Sequence, residues 1–514
     1  MKLKALAFKS TIVVVLLVSI LLTACSNSQT QNTSASSKKQ GDSNKVLNLY
    51  VDMNWWPFKD WSGKIPEEIT KETGIKVNVQ VAADSNQLAL NIASGNMPDL
   101  VFTYDHIADM TNAKVSYPWS DLIKKYTPDF KIDKTAIAVN TASDGKFYTI
   151  RNGFATQQQF QSNKYALVRG GGLVVREDIM KALGNPPLNN LNDLKNILGM
   201  VKQKYPDMIP LVMTPLQTDA YFRIQFGMPR FGFTLVNGQA KYYISDPGQL
   251  DYYKFMNDLY RNGYIQAENF TWKDTNQASN LSLAGKAFAQ EYDVATAEQL
   301  NAQLQREGKN YRFMQVTKPL GAHPQLINNN PGWAGLFVPV KSKHPDLAMK
   351  LIQFLASEKG QRLAQWGIEG QDYKMSPDGG YPIFKYDTSD AAIQKKMGVS
   401  FWGLFADSGI TEDIARYQPG KPSTKAMVNL RPYFHSDPGL GMIVPDANSD
   451  QKVIQSNLDN LIKTEETKII LATSEKACTE EYNNMMKQLN NMGLKKLEDW
   501  ANKKYAENKA KLGE

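Results

Sequence analysis

Reactive and metal-binding side chains are scarce in this sequence. Its 514 residues include two cysteines and four histidines. Two thiols cannot build a disulfide framework. His106, His323, His344 and His435 are too dispersed for zinc-ligand spacing, and two of them precede proline. The run Gly170-Gly171-Gly172 leads into a strand-like segment and is followed by no Lys-Ser/Thr pair, so it is not a phosphate loop. There is no Gly-x-Ser-x-Gly elbow, no internal repeat and no basic block of the kind that grips nucleic acid. Apolar residues at 42% and charged residues at 21% describe a chain that buries a sizeable core.

What is present begins at the N-terminus. Lys2, Lys4 and Lys9 precede an apolar run from Thr11 to Leu22, shorter than the roughly 20 residues a spanning helix needs. The run ends in Leu22-Thr23-Ala24-Cys25, which resembles a bacterial lipobox, with Cys25 the residue that takes the lipid. Residues 1–24 then read as a signal peptide. Residues 25–44, rich in Ser, Asn, Gln, Thr and Lys, read as a disordered tether. Removing the signal peptide lowers the formal charge from +8 to +5, a mild excess. Cys478, left without a partner in a helical segment, reads as a packed, inert thiol.

From Lys45 onward short apolar strands alternate with amphipathic helices, the mark of an α/β fold with helix-covered sheets. Val46–Val51, Lys76–Val81 and Pro98–Phe102 read as strands, and Asp84 is placed to cap a helix that stops at Gly95. Pro247 opens a helix that ends at Gly263. A strand over 332–340 precedes a helix opened by Pro345, and the last ~45 residues read as terminal helices. In such sheets ligands sit beyond the carboxyl ends of the strands, here the loops near Asp52 and Thr103.

Several stretches in order carry a resemblance. Glu72-Thr73-Gly74-Ile75-Lys76-Val77, then Leu90 to Leu100, Gly172 to Asp178, Phe255 to Tyr260, and Trp333 to Leu355 followed by Glu358-Lys359-Gly360 are similar to family 1 extracellular solute-binding proteins. These are relatives of maltose-binding protein, and the chain looks closest to the large lipoprotein branch of Gram-positive bacteria. The resemblance implies a two-lobed periplasmic-binding-protein-like fold of type 2. Lobe 1 would comprise 45–150 plus 318–375, and lobe 2 would comprise 151–317 plus 376–514. It also implies a monomer, held on the outer face of the cell membrane through Cys25, that delivers a carbohydrate to ABC permease subunits by closing around it. No cofactor and no nucleic acid enter this reading. Many members of that branch carry an acidic calcium loop. Here Lys204-Tyr205-Pro206-Asp207-Met208-Ile209-Pro210 stands in its place, with one carboxylate where calcium asks for six or more oxygens, so no metal is expected.

Sugars are held by ring faces under their C–H patches and by planar polar groups that pair with hydroxyls. Trp55 and Trp56 follow the first strand, Tyr104, Asp105 and His106 follow the third, and Trp333 lies where the chain returns to lobe 1. In the family Tyr292, followed by Asp293, aligns with a stacking aromatic of the maltose-binding relatives. Arg151 and Asn152 at the first crossover and Arg169 before the glycine run offer planar contacts. Core packing is the plainer reading of any single ring, and a hinge or surface ion pair of any single arginine. Adjacent Trp55 and Trp56 cannot both enter one sheet face, so at least one lines a surface. The expected ligand is a mono- or oligosaccharide, and the arginines allow an acidic one. A secreted glycoside hydrolase using Asp105 and Asp293 is the alternative, since a pair of carboxylates ~5–10 Å apart suffices for that chemistry. A surface adhesin would need a repeated face that the sequence lacks.

Overall fold

The structure is a computed structural model describing residues 45–84, 86–215, 219–272, 275–406, 409–446 and 449–514. The signal peptide, the tether and Cys25 lie outside these residues. Both sheets and their helices belong to the unit Lys45–Glu514.

Strand Val46–Val51 alternates until its end, with Leu47 and Leu49 buried and Val46 and Asn48 exposed. It is central to a four-stranded sheet, parallel to Lys76–Val81 on one side and to Leu100–Thr103 on the other. Gly335–Phe337 completes the sheet antiparallel to Leu100–Thr103. Helix Lys64–Thr73 buries Ile65 and Ile69 and stops at Gly74, whose φ of 72° lets its N–H reach back to the Thr70 carbonyl. Helix Pro345–Ala356 turns Leu347, Ala348, Leu351, Ile352 and Leu355 onto the same core, the broad apolar face its spacing predicts.

A second four-stranded sheet runs Ile209–Val212, Ala287–Asp293, Gly171–Arg176, Phe313–Gln315. Ala287–Asp293 is parallel to Ile209–Val212 and antiparallel to Gly171–Arg176. Helices Leu191–Lys204 and Gly248–Arg261 cover it, together with Asp450–Ile470, Glu475–Asn491 and Leu494–Leu512 from the C-terminus. Cys478 is fully buried in that core, and burial pushes its thiol up to about 11, so the inert reading holds. The chain builds three strands of the first sheet, crosses to build the second, and returns to insert Gly335–Phe337. Each sheet has its own apolar core and each is made of discontinuous segments, the two-lobed architecture the resemblance implies.

Two expectations are corrected. The helix expected to start from Asp84 is Gln87–Ser94, with Asn86 as its cap; the Asp84 carboxylate instead accepts the Asn86 N–H at 2.8 Å. The boundary at 375 is also too early, because Val399, Trp402, Phe405 and Ala406 belong to the first core. Gln361 fixes that return by donating to the carbonyls of Gly403 and Ala406 at 3.1 and 2.8 Å. A third apolar cluster, including Phe160, Ile224, Leu326, Trp366, Leu430 and Phe434, gathers residues from the crossovers and from both lobes.

Candidate functional site

Beyond Val51 the chain turns sharply, and Asp52 is buried with its Oδ2 accepting from the Thr103 hydroxyl at 2.7 Å. Burial raises the Asp52 pKa. This bond ties the ends of two neighbouring strands and so fixes the loops that follow them. From those loops Trp55 and Tyr104 emerge 52% and 39% exposed. Both rings meet Trp333, with centroids 6.3 and 6.0 Å from it and planes tilted by 30° and 52°. Trp333 is half-buried and held edge-on against Phe102 at 6.1 Å. Three segments far apart in sequence therefore converge in one open cluster of rings. Tyr104 has its pKa raised by burial first and by the Asp105 charge second.

On the second sheet the pairing of Gly172 with Tyr292 and of Gly171 with Asp293 explains the glycine run. A Cβ on Gly171 would come within 2.2 Å of the Tyr221 nitrogen, and one on Gly172 within 2.4 Å of the Asp293 carbonyl oxygen. Close packing, not phosphate binding, needs glycine there. Beside it Arg169 grips Asp293 with a two-pronged pair, Nε to Oδ2 at 2.7 Å and Nη2 to Oδ1 at 3.0 Å. Asp293 raises the Arg169 pKa, although the guanidinium side chain is 53% exposed. Next to this pair Arg416 binds Glu412 and Asp413, and burial pushes the Asp413 carboxyl up to about 7. A cavity of about 430 Å³ opens between Arg169-Gly170, the loop Arg230–Phe233 and the crossover Asn328–Pro331. That size falls among small-molecule sites, roughly 300–1,000 Å³. The crossover that lines the cavity continues two residues later into Trp333.

The family model described as bacterial extracellular solute-binding protein matches residues 64–368. The chain belongs to this family. Solved structures of similar fold include FusA, an ABC-transporter substrate-binding protein of S. pneumoniae in complex with kestose, at TM-score 0.66 and 17% identity over 91% of this chain and 100% of that one. Alginate-binding protein AlgQ2 gives 0.64 and 18% over 91% and 100%. A human-milk-oligosaccharide (HMO) binding ABC-transporter-associated solute-binding protein from Bifidobacterium longum infantis gives 0.62 and 15% over 90% and 99%. At these identities the likeness establishes the fold. No curated protein sequence matches the chain significantly.

Within this solute-binding protein the residues singled out from sequence part into two groups. Trp55, Tyr104, Asp105 and Trp333 come together at the ring cluster, and Arg169, Tyr292 and Asp293 at the end of the second sheet. Three others are corrected. Trp56 is 1% exposed and packs among Phe102, Phe401, Trp402 and Phe405, so it is core. Arg151 donates Nε to the Asn140 side chain and Nη2 to the Val139 carbonyl, closing the end of helix Lys134–Asn140. Burial holds its pKa down to about 10. Asn152 is fully buried and straps the crossovers, its Nδ2 donating to the Leu404 carbonyl at 2.9 Å and its Oδ1 accepting from Ala334 N–H at 3.3 Å. Both oxygens of Asp293 are engaged by Arg169, and Oδ1 also accepts the Ala295 N–H, which leaves the paired-carboxylate reading without a free acid there. Sequence reasoning missed Arg230, Phe231 and Arg416. The run Asn328-Asn329-Asn330 before Pro331 was a usable signal of a polar crossover.

Proposed function

We propose that this protein is the capture component of an ABC importer, lipid-anchored through Cys25 on the outer face of the cell membrane. It acts as a monomer that takes an oligosaccharide between its two lobes and hands it to the permease. The observation that carries the reading is the ring cluster. Trp55 and Tyr104 stand open at the strand ends beside half-buried Trp333, each tilted against its ring, as the faces of a curved ligand require. Single exposed rings are ordinary, but a contiguous patch of large rings marks a binding surface. The planar polar groups of Arg169 and Asp293 lie at the corresponding end of the second sheet and suit pairing with hydroxyls. The names of the structural neighbours point the same way, since they are proteins of kestose, alginate and milk-oligosaccharide binding. Domain closure would follow from a ligand that contacts both lobes and so binds the closed arrangement more tightly than the open one.

The test is ligand-dependent unfolding of the soluble chain beginning at Ser26 against a panel of oligosaccharides, with each glycan analysed afterwards. A binder held at 100 times its dissociation constant gains about 2.7 kcal/mol, and the glycan should be recovered intact. Steady cleavage of a glycan would replace the reading with a hydrolase. Release of Cys25→Ala protein into the medium, with the wild type retained on cells, tests the anchor.

A further inference from the structure

Three arginines line the cavity on the second lobe and a fourth, Arg416, lies beside Arg169; three of the four are matched by acids. Arg169 has Asp293, the buried Arg223 has Glu466 at 2.9 Å, and Arg416 has Glu412 and Asp413. Arg230 is the exception. It lines the cavity in the loop after helix Tyr221–Gln225, yet among the described residues no carboxylate lies within ion-pair distance and its guanidinium donates no hydrogen bond. Among the described residues its side-chain contact is the ring of Phe231, 57% exposed, over which the guanidinium carbon sits at 5.0 Å. The side chain is open to water but walled by protein. That desolvation, followed by the neighbouring Arg223 charge, presses its pKa down. The buried carboxyls of Asp219 and Glu291 favour its charge by less, and an incoming anion would supply the direct partner it lacks. Across the cavity the side-chain amide nitrogen of Asn328 donates to no protein acceptor among the described residues, which provides a second donor.

Resting on the oligosaccharide reading above, we propose that the glycan carries a carboxylate, as a uronic acid residue does, and that Arg230 is the residue that recognises it. The guanidinium fork matches two carboxylate oxygens, and the Phe231 face stacked on it holds the fork in plane. Arg169, its charge paired with Asp293, keeps its remaining N–H donors for the hydroxyls.

Titration calorimetry decides it. The probes are trisaccharides of galacturonate, guluronate and glucuronate, their carboxyl-reduced neutral counterparts, and neutral trisaccharides bearing a sulfate ester. The proteins are wild type, Arg230→Gln and Arg230→Lys. The wild type should bind at least one uronate about tenfold or more tightly than its reduced counterpart, the scale of one charge-assisted contact. Arg230→Gln should bring the two within about twofold, and Arg230→Lys, which keeps the charge without the fork, should fall between. Melting of the unliganded variants should match wild type, because Arg230 holds nothing in place. Equal or tighter binding of the neutral counterparts, an equal loss for charged and neutral ligands in Arg230→Gln, or a preference for sulfate esters over uronates overturns the inference and leaves the glycan reading standing. Failure of every probe, charged and neutral, overturns both.

Discussion

Trp55 and Trp56 are chain neighbours with opposite surroundings, and replacing each by alanine separates binding from folding. Trp56 stacks on Phe405 at 5.6 Å with planes 10° apart and meets Phe102 and Phe401 edge-on. Removing so large a ring from a closed core costs about 3–5 kcal/mol. Its buried Nε1 has no hydrogen-bond partner among the described residues, so truncation also removes an unsatisfied donor and the loss should fall near the lower end of that range. Even about 3 kcal/mol is a large part of the roughly 5–15 kcal/mol that keeps a domain folded. Trp55 is half exposed, and its removal should change stability by less than about 1 kcal/mol. As a stacking face it should contribute about 1–2 kcal/mol to a bound glycan, a loss of roughly 5- to 30-fold in affinity. Urea unfolding and calorimetry with any glycan that stabilises the wild type measure both quantities, and Trp55→Phe should recover part of the affinity. A Trp56→Ala protein that stays stable, or a Trp55→Ala protein with unaltered affinity for every such glycan, would refute the assignment of one ring to the core and the other to the ligand.

Trp333→Ala should weaken binding at least as much as Trp55→Ala, because Trp333 contacts both other rings, at a stability cost of about 1–2 kcal/mol for its half-buried ring. Asn152→Ala leaves the Leu404 carbonyl and the Ala334 N–H unpaired in the interior, and urea melts should show a loss of about 2–4 kcal/mol. Asp413 holds a proton in the folded protein up to about pH 7, whereas in the unfolded chain it releases it near pH 4. Its contribution to stability therefore falls as pH rises from about 4 to about 7 and is level above, by at most about 4 kcal/mol; unfolding at pH 5 and pH 8 should show this, with a smaller difference in Asp413→Asn. Chelation by EDTA should leave the melting temperature unchanged, because 205–208 between helix Leu191–Lys204 and strand Ile209–Val212 offers a single carboxylate, Asp207.

The strands, their order along the chain and the terminal helices are legible because local spacing alone specifies them. The alternation of Lys76–Val81 and the apolar face of Pro345–Ala356 do not depend on what they pack against. The fate of 399–406 is different. Its apolar residues suit either lobe, and the choice is made by space around Trp56 and by the Gln361 side chain, both remote in sequence. Trp55 and Trp56 illustrate the same limit, since the pair announces one exposed ring without saying which. Arg151 and Arg169 look alike in sequence, yet one closes a helix end and the other pairs with Asp293, because partners 11 and 124 residues away decide. Arg230 escaped notice for the converse reason. What sets it apart is a missing partner, and that shows only once every neighbouring acid has been assigned.

The first two crossovers behave as a single strap. Asn152 N–H donates to the Ala334 carbonyl at 2.9 Å, and Trp333 N–H donates back to the Asn152 carbonyl at 3.2 Å. Gly332, at a φ of 109°, lies where a Cβ would come within 2.5 Å of the Arg151 Cβ, so the segments approach as closely as backbone allows. The Trp333 ring is therefore positioned by both passages of the chain, and Asn328–Pro331 on the same segment line the cavity. Any relative movement of the lobes must be absorbed in these residues and in the third passage, after Ala406, that returns the chain to the second core, because each lobe has its own packed core and cannot deform continuously. A ligand resting on Trp333 and reaching the cavity would touch one of the segments that must change if the lobes move. Its contacts would be made in one arrangement and lost in the other, and that difference in binding free energy is what a ligand needs to shift a population.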